Sequence, residues 1–189
     1  DGYRIRWRAE EDRSGVRVRR VPLYPSHGAS GPRRFVTYAS FGASALAGGS
    51  RWLAECDAVW VNASPITLAW PMAALRAQGV PLVSHILDLW PDTLYATSFG
   101  RRLTSQVPRA ALSTWTASMY RMSHTVAYIS PGVGEVLESR GVPREKLVHI
   151  PMWADDALTV RAGAPIRHDL GLAGEDIVLL YAGSLGSAH

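Results

Sequence analysis

The sequence predicts a doubly wound α/β fold, a parallel sheet with helices between its strands, followed by the opening strand of a second unit. Three observations carry that prediction. Short apolar runs alternate with helical patterns between residues 57 and 150. Several runs open into compact turns, Ser64-Pro65, Asp88-Leu-Trp-Pro-Asp92 and Ser130-Pro-Gly-Val-Gly134. Near the end of the chain the apolar run Ile177-Val-Leu-Leu180 feeds a glycine turn, Tyr181-Ala-Gly-Ser-Leu-Gly186. Bare glycines after a strand let backbone N–H groups approach an anion, which is how α/β folds cradle phosphate.

Taken in order, Gly15-Val-Arg-Val-Arg-Arg-Val21 alternates valine with arginine, the period of a half-buried strand, and Pro22 and Pro25 end it. Residues 35–46 read as a helix. Residues 57–62 form a second strand, apolar enough for a buried sheet, with Trp60 assigned to the core. A helix over 67–78 follows; Leu68, Ala73, Ala74 and Leu75 are its core positions and Gly79 its C-terminal cap. Residues 80–86 make a third strand containing His85 as a core histidine. The stretch 93–123 is mostly helical, interrupted near Gly100 and Pro108. A fourth strand over 125–129, a helix over 134–140 and a fifth strand over 147–150 complete the first unit. Gly163, Pro165, Gly171 and Gly174 give residues 155–176 the chemistry of a linker, and the strand pattern restarts at 177–182.

Composition bounds the functions available. With 189 residues, 47% hydrophobic, the chain can bury one ordinary core and part of another. Cys56 is the lone cysteine, so no internal disulfide framework exists. The net charge of +4 is arginine-based and concentrated in the first 34 positions, at Arg4, Arg6, Arg8, Arg13, Arg17, Arg19, Arg20, Arg33 and Arg34. Two readings of that basic end stay open, a solvated face balanced by Glu10, Glu11 and Asp12, or contact with an anionic partner such as a lipid headgroup or phosphate. Nucleic acid is not expected, because no recognition motif or aromatic stacking ladder accompanies the arginines. Residues 35–49 are too short and too rich in glycine and serine to cross a bilayer, though suited to lying against a membrane surface.

Ligands of open α/β sheets gather beyond the carboxyl ends of the strands, so the residues after each strand are the candidates. These are Tyr24, Ser26 and His27 after the first strand, Ser64 after the second, Asp88 after the third and Ser130 after the fourth. All are expected to face one crevice. Asp92, just before a helical pattern, reads as a helix cap. Asp88, nearer the strand end, is placed to hydrogen-bond a sugar hydroxyl or to position an attacking acceptor. Gly132-Val-Gly134 matches the start of a dinucleotide fingerprint, with Leu137 at the third glycine position and Asp155 at the acidic one. No Asp-x-Asp pair or His/Cys cluster offers a metal site, and no Gly-x-Ser-x-Gly elbow occurs.

Several stretches together resemble the bacterial family 4 glycosyltransferases of the GT-B fold, and among them the WbuB-like enzymes of surface-polysaccharide assembly. They are residues 15–27, Asp88-Leu-Trp-Pro-Asp92, Ile129-Ser-Pro-Gly132 with residues 140–147, Ile150-Pro-Met-Trp-Ala-Asp155, and Leu180-Tyr-Ala-Gly-Ser-Leu-Gly186. The resemblance implies two Rossmann-like lobes, with 1–154 as the acceptor-side lobe lacking its first strand, 155–176 as the interdomain linker, and 177–189 as the first strand and glycine turn of the donor lobe. It further implies retention of anomeric configuration without a bound metal or other cofactor. Asp88 matches the acidic position of the Asp-Leu-Trp-Pro motif, with Leu87 where many relatives keep a catalytic histidine. Gly183, Ser184, Leu185 and Gly186 match the diphosphate-side loop.

The resulting expectation is a cytoplasmic, membrane-peripheral hexosyltransferase. It takes a hexosyl or N-acetylhexosaminyl group from a nucleotide-sugar donor to a lipid-linked saccharide acceptor, with Asp88 as the catalytic residue and Tyr24, Ser26, His27, Ser64 and Ser130 holding the acceptor. The chain by itself is not expected to turn over. Two other readings remain, a non-catalytic acceptor-binding module of a two-chain transferase and an NAD-dependent oxidoreductase using the Gly132 turn.

Overall fold

The computed structural model describes residues 9–25, 31–96, 106–153 and 165–179, together with Tyr181 and Gly183. The chain divides into two compact units, Asp1–Pro151 and Met152–His189.

The first unit opens on an antiparallel hairpin, β1 (Ala9–Arg13) with β2 (Val16–Arg20). Ser14 at φ 54 and Gly15 at φ 83 make the reversal. Two successive positive φ values match the right-handed twist of the flanking strands. The Asp12 carboxylate accepts the Gly15 N–H at 2.9 Å. The strand expected over 15–21 therefore exists, but not as a member of the parallel sheet. Its arginines forbid that place, because a parallel strand is buried on both faces, whereas here Arg19 pairs with Glu10 at 2.8 Å and Arg20 with Glu11 at 2.7 Å across the hairpin.

Helix α1 (Gly31–Leu53) runs well past the expected 35–46 at both ends. Its glycines serve it as contact points. A Cβ on Gly42 would stand 2.7 Å from the Thr67 carbonyl oxygen, and one on Gly48 3.2 Å from Val21 Cγ1. The Thr67 hydroxyl donates to the Tyr38 carbonyl at 2.7 Å, so this helix and the turn after the next strand touch through backbone.

The sheet then forms in order, β3 (Val59–Asn62), β4 (Leu82–Ile86), β5 (Thr125–Tyr128) and β6 (Leu147–His149), all parallel and each paired with its sequence neighbour. Between β3 and β4 lie a 3-10 turn (Ile66–Leu68) and α2 (Ala69–Ala77), closed by Gly79 at φ 80. Short α3 (Asp92–Ala96) and long α4 (Gln106–Met122) join β4 to β5, and α5 (Pro131–Ser139) joins β5 to β6. Sequential order winds the described strands in one direction.

The core packs where these helices meet the sheet: Met72 and Leu75 from α2, Leu82 from β4, Met119 from α4, Val126 from β5 and Leu137 from α5 are all essentially inaccessible. Inside it the Ser84 and Ser123 hydroxyls bond each other at 2.7 Å, and Ser123 also donates to the Met119 carbonyl at 2.8 Å, so neither is left unsatisfied. Lys146, the single lysine, donates to the Ser123 carbonyl at 3.0 Å just beyond α4. A cation there favours the helix C-terminus.

Two core assignments do not hold. Trp60 is 52% exposed, because β3 ends the described sheet and alternation turns Val59 inward and Trp60 outward. Ala73 is exposed as well, on the outer side of α2, whereas His85 is buried as expected, its ring 5.0 Å from that of Trp60.

In the second unit the stretch read as linker carries a helical turn, α6 (Pro165–Asp169). The Arg167 guanidinium gathers the residues behind it, donating to the carbonyls of Ala173 at 2.5 Å and Asp176 at 3.0 Å. No strand is formed at residues 177–179, where Ile177 and Leu179 are almost fully exposed; a strand exists only by pairing, and no ladder partner stands beside them among the described residues.

Among the described glycines of the first unit, Gly42 alone has its Cβ position set against backbone atoms within 4 Å. Gly42→Ala is expected to destabilise it by about 1–3 kcal/mol, since the new methyl meets a carbonyl rather than a yielding side chain. Urea unfolding followed by circular dichroism measures this.

Candidate functional site

Parallel strands deliver their carboxyl ends to one edge, and the loops leaving that edge hold the side chains of interest. From β3 the chain passes to Ser64, and from β4 to Asp88 and Trp90. The Ser64 hydroxyl donates to Asp88 Oδ2 at 3.4 Å and accepts the Trp90 indole N–H at 3.3 Å. This chain of donors runs from the indole through the hydroxyl to the carboxylate, fixing one Asp88 oxygen while the residue remains exposed.

The loop bearing Asp88 is held from behind. Arg140, at the end of α5, donates through Nη1 to the Trp90 carbonyl at 3.0 Å and through Nη2 to the Asp92 carboxylate. Asp92 is thus the ion-pair partner of Arg140 and opens α3 as its first residue, instead of standing before the helix as a cap. The planar guanidinium binds carbonyl and carboxylate together and sets the loop's angle to α5. Beside this pair lies a cleft of about 390 Å³ bordered by Trp90, Asp92, Tyr95, Thr116, Tyr120 and Arg140. Tyr120 is almost wholly buried there, and burial pushes its phenol up to about 12; the nearby Asp92 carboxylate acts in the same direction and Arg140 against it.

On the β5 side, Ser130 precedes α5 in extended conformation, its carbonyl accepting the Val133 N–H at 3.0 Å, with no capping bond from its hydroxyl. The Tyr128 ring stacks on His149 of β6, centroids 5.3 Å apart. Both Gly132 and Gly134 lie inside the first turn of α5. A Cβ on Gly134 would come within 2.6 Å of the Tyr128 ring, so this glycine makes room for an aromatic neighbour, while Gly132 faces open space. Gly134 therefore has a packing use that needs no dinucleotide.

The structure brings Ser64 and Asp88 together directly and places Ser130 after the neighbouring strand. Tyr24 lies at the exit of the hairpin, with its N–H donated to Ser40 Oγ of α1 at 2.8 Å. Ser26, His27, Ser184, Leu185 and Gly186 lie outside the described residues. Gly183 is an exposed bend whose missing Cβ leaves space for the Tyr181 hydroxyl, 3.0 Å from where it would be. Sequence reasoning passed over Trp90, Arg140, Tyr128 and His149 as site residues. Only Trp90 and Arg140 carried a signal, inside motifs already singled out. Among the described residues no three His, Cys, Asp or Glu side chains gather as a metal site, and no helix is long and apolar enough to cross a membrane.

Residues 1–153 match the model of the glycosyl transferase 4-like domain, which covers the hairpin, the whole parallel sheet and the Asp88 cluster. The chain belongs to the glycosyl transferase 4-like family. No curated protein and no solved structure matches it. Membership makes it a glycosyltransferase domain whose reactants are a sugar donor and an acceptor. The parallel sheet with helices between its strands is the α/β architecture of a Rossmann-like GT-B lobe.

Two expected outcomes follow for this transferase domain. Gly134→Ala destabilises by about 1–3 kcal/mol through the Tyr128 clash, whereas Gly132→Ala is neutral or stabilises by up to about 1 kcal/mol; paired thermal melts separate the two. Because Tyr120 titrates higher folded than unfolded, stability is unaffected below about pH 10 and falls as pH rises toward 12, by at most about 3 kcal/mol. Tyr120→Phe flattens that alkaline loss in urea titrations.

Proposed function

We propose that this chain forms the acceptor side of a retaining hexosyltransferase of the WbuB-like group, one that passes a hexosyl or N-acetylhexosaminyl group from a nucleotide-sugar to a lipid-linked saccharide in surface-polysaccharide assembly. The reading is supported chiefly by the Asp88 cluster: an exposed carboxylate at the sheet's carboxyl edge, held by Ser64 and backed by Trp90. With Oδ2 engaged by the serine, Oδ1 is left to accept a hydrogen bond from the acceptor hydroxyl and aim its oxygen at the anomeric carbon. Positioning of this kind replaces a costly bimolecular encounter with an oriented one. As general base or as orienter, Asp88 would contribute most when the nucleoside diphosphate departs.

In this scheme residues 1–154 hold the acceptor, with Ser64 and Ser130 at the crevice and Tyr24, Ser26 and His27 contributing from the segment after the hairpin. Residues 155–176 connect to residues 177–189, where the turn of Gly183, Ser184, Leu185 and Gly186 receives the leaving diphosphate. Backbone N–H groups and basic side chains then neutralise its charge without a metal. A nucleotide-sugar donor places the reaction on the cytoplasmic side.

The test is transfer from a nucleotide-sugar to a short-chain prenyl-pyrophosphate saccharide by the full-length protein. Asp88→Ala is expected to lower kcat by roughly 10²–10⁴-fold with the donor KM kept. Undiminished kcat would remove Asp88 from the mechanism, and a lost donor KM would move it to the donor side.

A further inference from the structure

Helix α4, at 17 residues, is longer than the strands it lies against. A helix that returns the chain between parallel strands runs back along them, so α4 ends near the start of β5 and its earlier residues lie progressively nearer the carboxyl edge. The four residues of β5 span about 13 Å, and the helix climbs about 1.5 Å per residue. Residues 113–115 are therefore level with that edge. A hydrogen bond fixes the level independently: the Trp115 indole N–H donates to the carbonyl of Ile66 at 2.9 Å, in the loop that leaves β3. The same loop holds the Ser64 hydroxyl against Asp88. Two residues of chain separate the Cα atoms of Ser64 and Ile66 by at most about 7 Å. One short segment thus engages both Asp88 and Trp115.

Trp115 is 39% exposed, although an indole gains more from burial than most side chains. Its orientation is nonetheless fixed. Ile66 holds the N–H, and Trp70 of α2 meets the ring edge-on, centroids 6.4 Å apart at 85°. What remains open is a rigid, flat surface whose single polar group is already used. Between Arg109 and Arg121 the helix carries no charge, and Ala111 and Thr114 beside the ring are exposed. Such a surface suits a ligand with an apolar face and polar edges. A pyranose has that form: C–H bonds line one face and hydroxyls project around the rim, so the ring stacks on an indole while its hydroxyls stay free to be held elsewhere. Sugars are the reactants of this domain. We propose that Trp115 is a stacking platform for the acceptor saccharide, engaging the sugar unit next to the one whose hydroxyl Asp88 receives. This assignment rests on the acceptor-side reading of Asp88 given above. Trp115 then sets a preference for acceptors of more than one sugar unit without touching the reacting atoms.

Full-length protein labelled with 5-fluorotryptophan reports on this without turnover, the Trp115 fluorine resonance being the one missing from Trp115→Phe. The probes are N,N′-diacetylchitobiose and maltose, each compared with its monosaccharide. At least one disaccharide is expected to shift the Trp115 resonance saturably, more than its monosaccharide does, and Asp88→Ala should leave that shift in place. In transfer to prenyl-pyrophosphate saccharides, Trp115→Ala should raise the KM of a disaccharide acceptor roughly tenfold. The KM of a monosaccharide acceptor, the donor KM and kcat should hold, and Trp115→Phe should recover part of the loss; thermal melts verify that both variants fold. A Trp115 resonance unmoved by both disaccharides overturns the proposal, as does an acceptor KM that rises equally for both acceptor lengths, the mark of a purely structural indole. A shifted resonance with undiminished kcat in Asp88→Ala sinks the acceptor-side reading of Asp88 instead and leaves the stacking site standing.

Discussion

Parallel pairing of β3, β4, β5 and β6 is the constraint from which the candidate site follows. Strands that all run one way must be joined by crossovers, and each crossover leaves the same edge of the sheet. Ser64 and Asp88, 24 residues apart in sequence, meet there because Asn62 is in register with His85. A slip of one residue in that ladder would invert the faces of β3 against β4 and separate hydroxyl from carboxylate. Burial of Val59, Leu82 and Ile86 on the helix side opposes such a slip, so the packing that stabilises the sheet also sets the geometry of the site.

Arg140 carries that geometry one step outward. The loop from residue 87 to 91 has no regular ladder of its own, and its direction depends on what its ends bind. One guanidinium takes both the Trp90 carbonyl and the Asp92 carboxylate, tying the loop after β4 to the helix after β5. Partial exposure limits the stability this pair supplies. Its effect is directional: it fixes where the Trp90 indole sits, and through Ser64 where the Asp88 carboxylate points.

How much of this was legible beforehand depended on the signal each residue leaves. Strands at 82–86 and 125–128 were readable because continuous apolar runs between turn residues admit few other states. The place of Asp88 beyond the carboxyl end of β4 was readable from its position after such a run. Trp60 was misassigned because composition alone does not reveal which strand ends a sheet, and the hairpin was missed because β1, Ala-Glu-Glu-Asp-Arg, has no apolar alternation at all; its pairing is carried by charge and by the Ser14-Gly15 turn. Glycines have packing uses that sequence alone does not show. Gly132 and Gly134 read as the start of a dinucleotide fingerprint, yet they lie in a helix, as do Gly42 and Gly48. At three of them the missing Cβ admits a neighbour, Thr67, Val21 or Tyr128, a use that depends on partners distant in sequence.

The hairpin shows how a charged element settles on an apolar helix. Arg19 lies over the Trp52 ring at 4.7 Å, reaches the Gly48 carbonyl at 3.4 Å and pairs with Glu10, while its Nε is buried without a hydrogen-bond partner. A cation over an indole contributes about 0.5–2 kcal/mol, and an unsatisfied buried donor costs about 1–3 kcal/mol. Arginine alone therefore does not hold the hairpin down. Val21 packing into the space above Gly48 and the Tyr24 N–H on Ser40 supply the remainder. Those contacts consume one flank of α1, and the Thr67 turn consumes another. What is left is the uncharged flank from Pro32 to Ala47, so the placement of the hairpin is what turns that flank toward solvent.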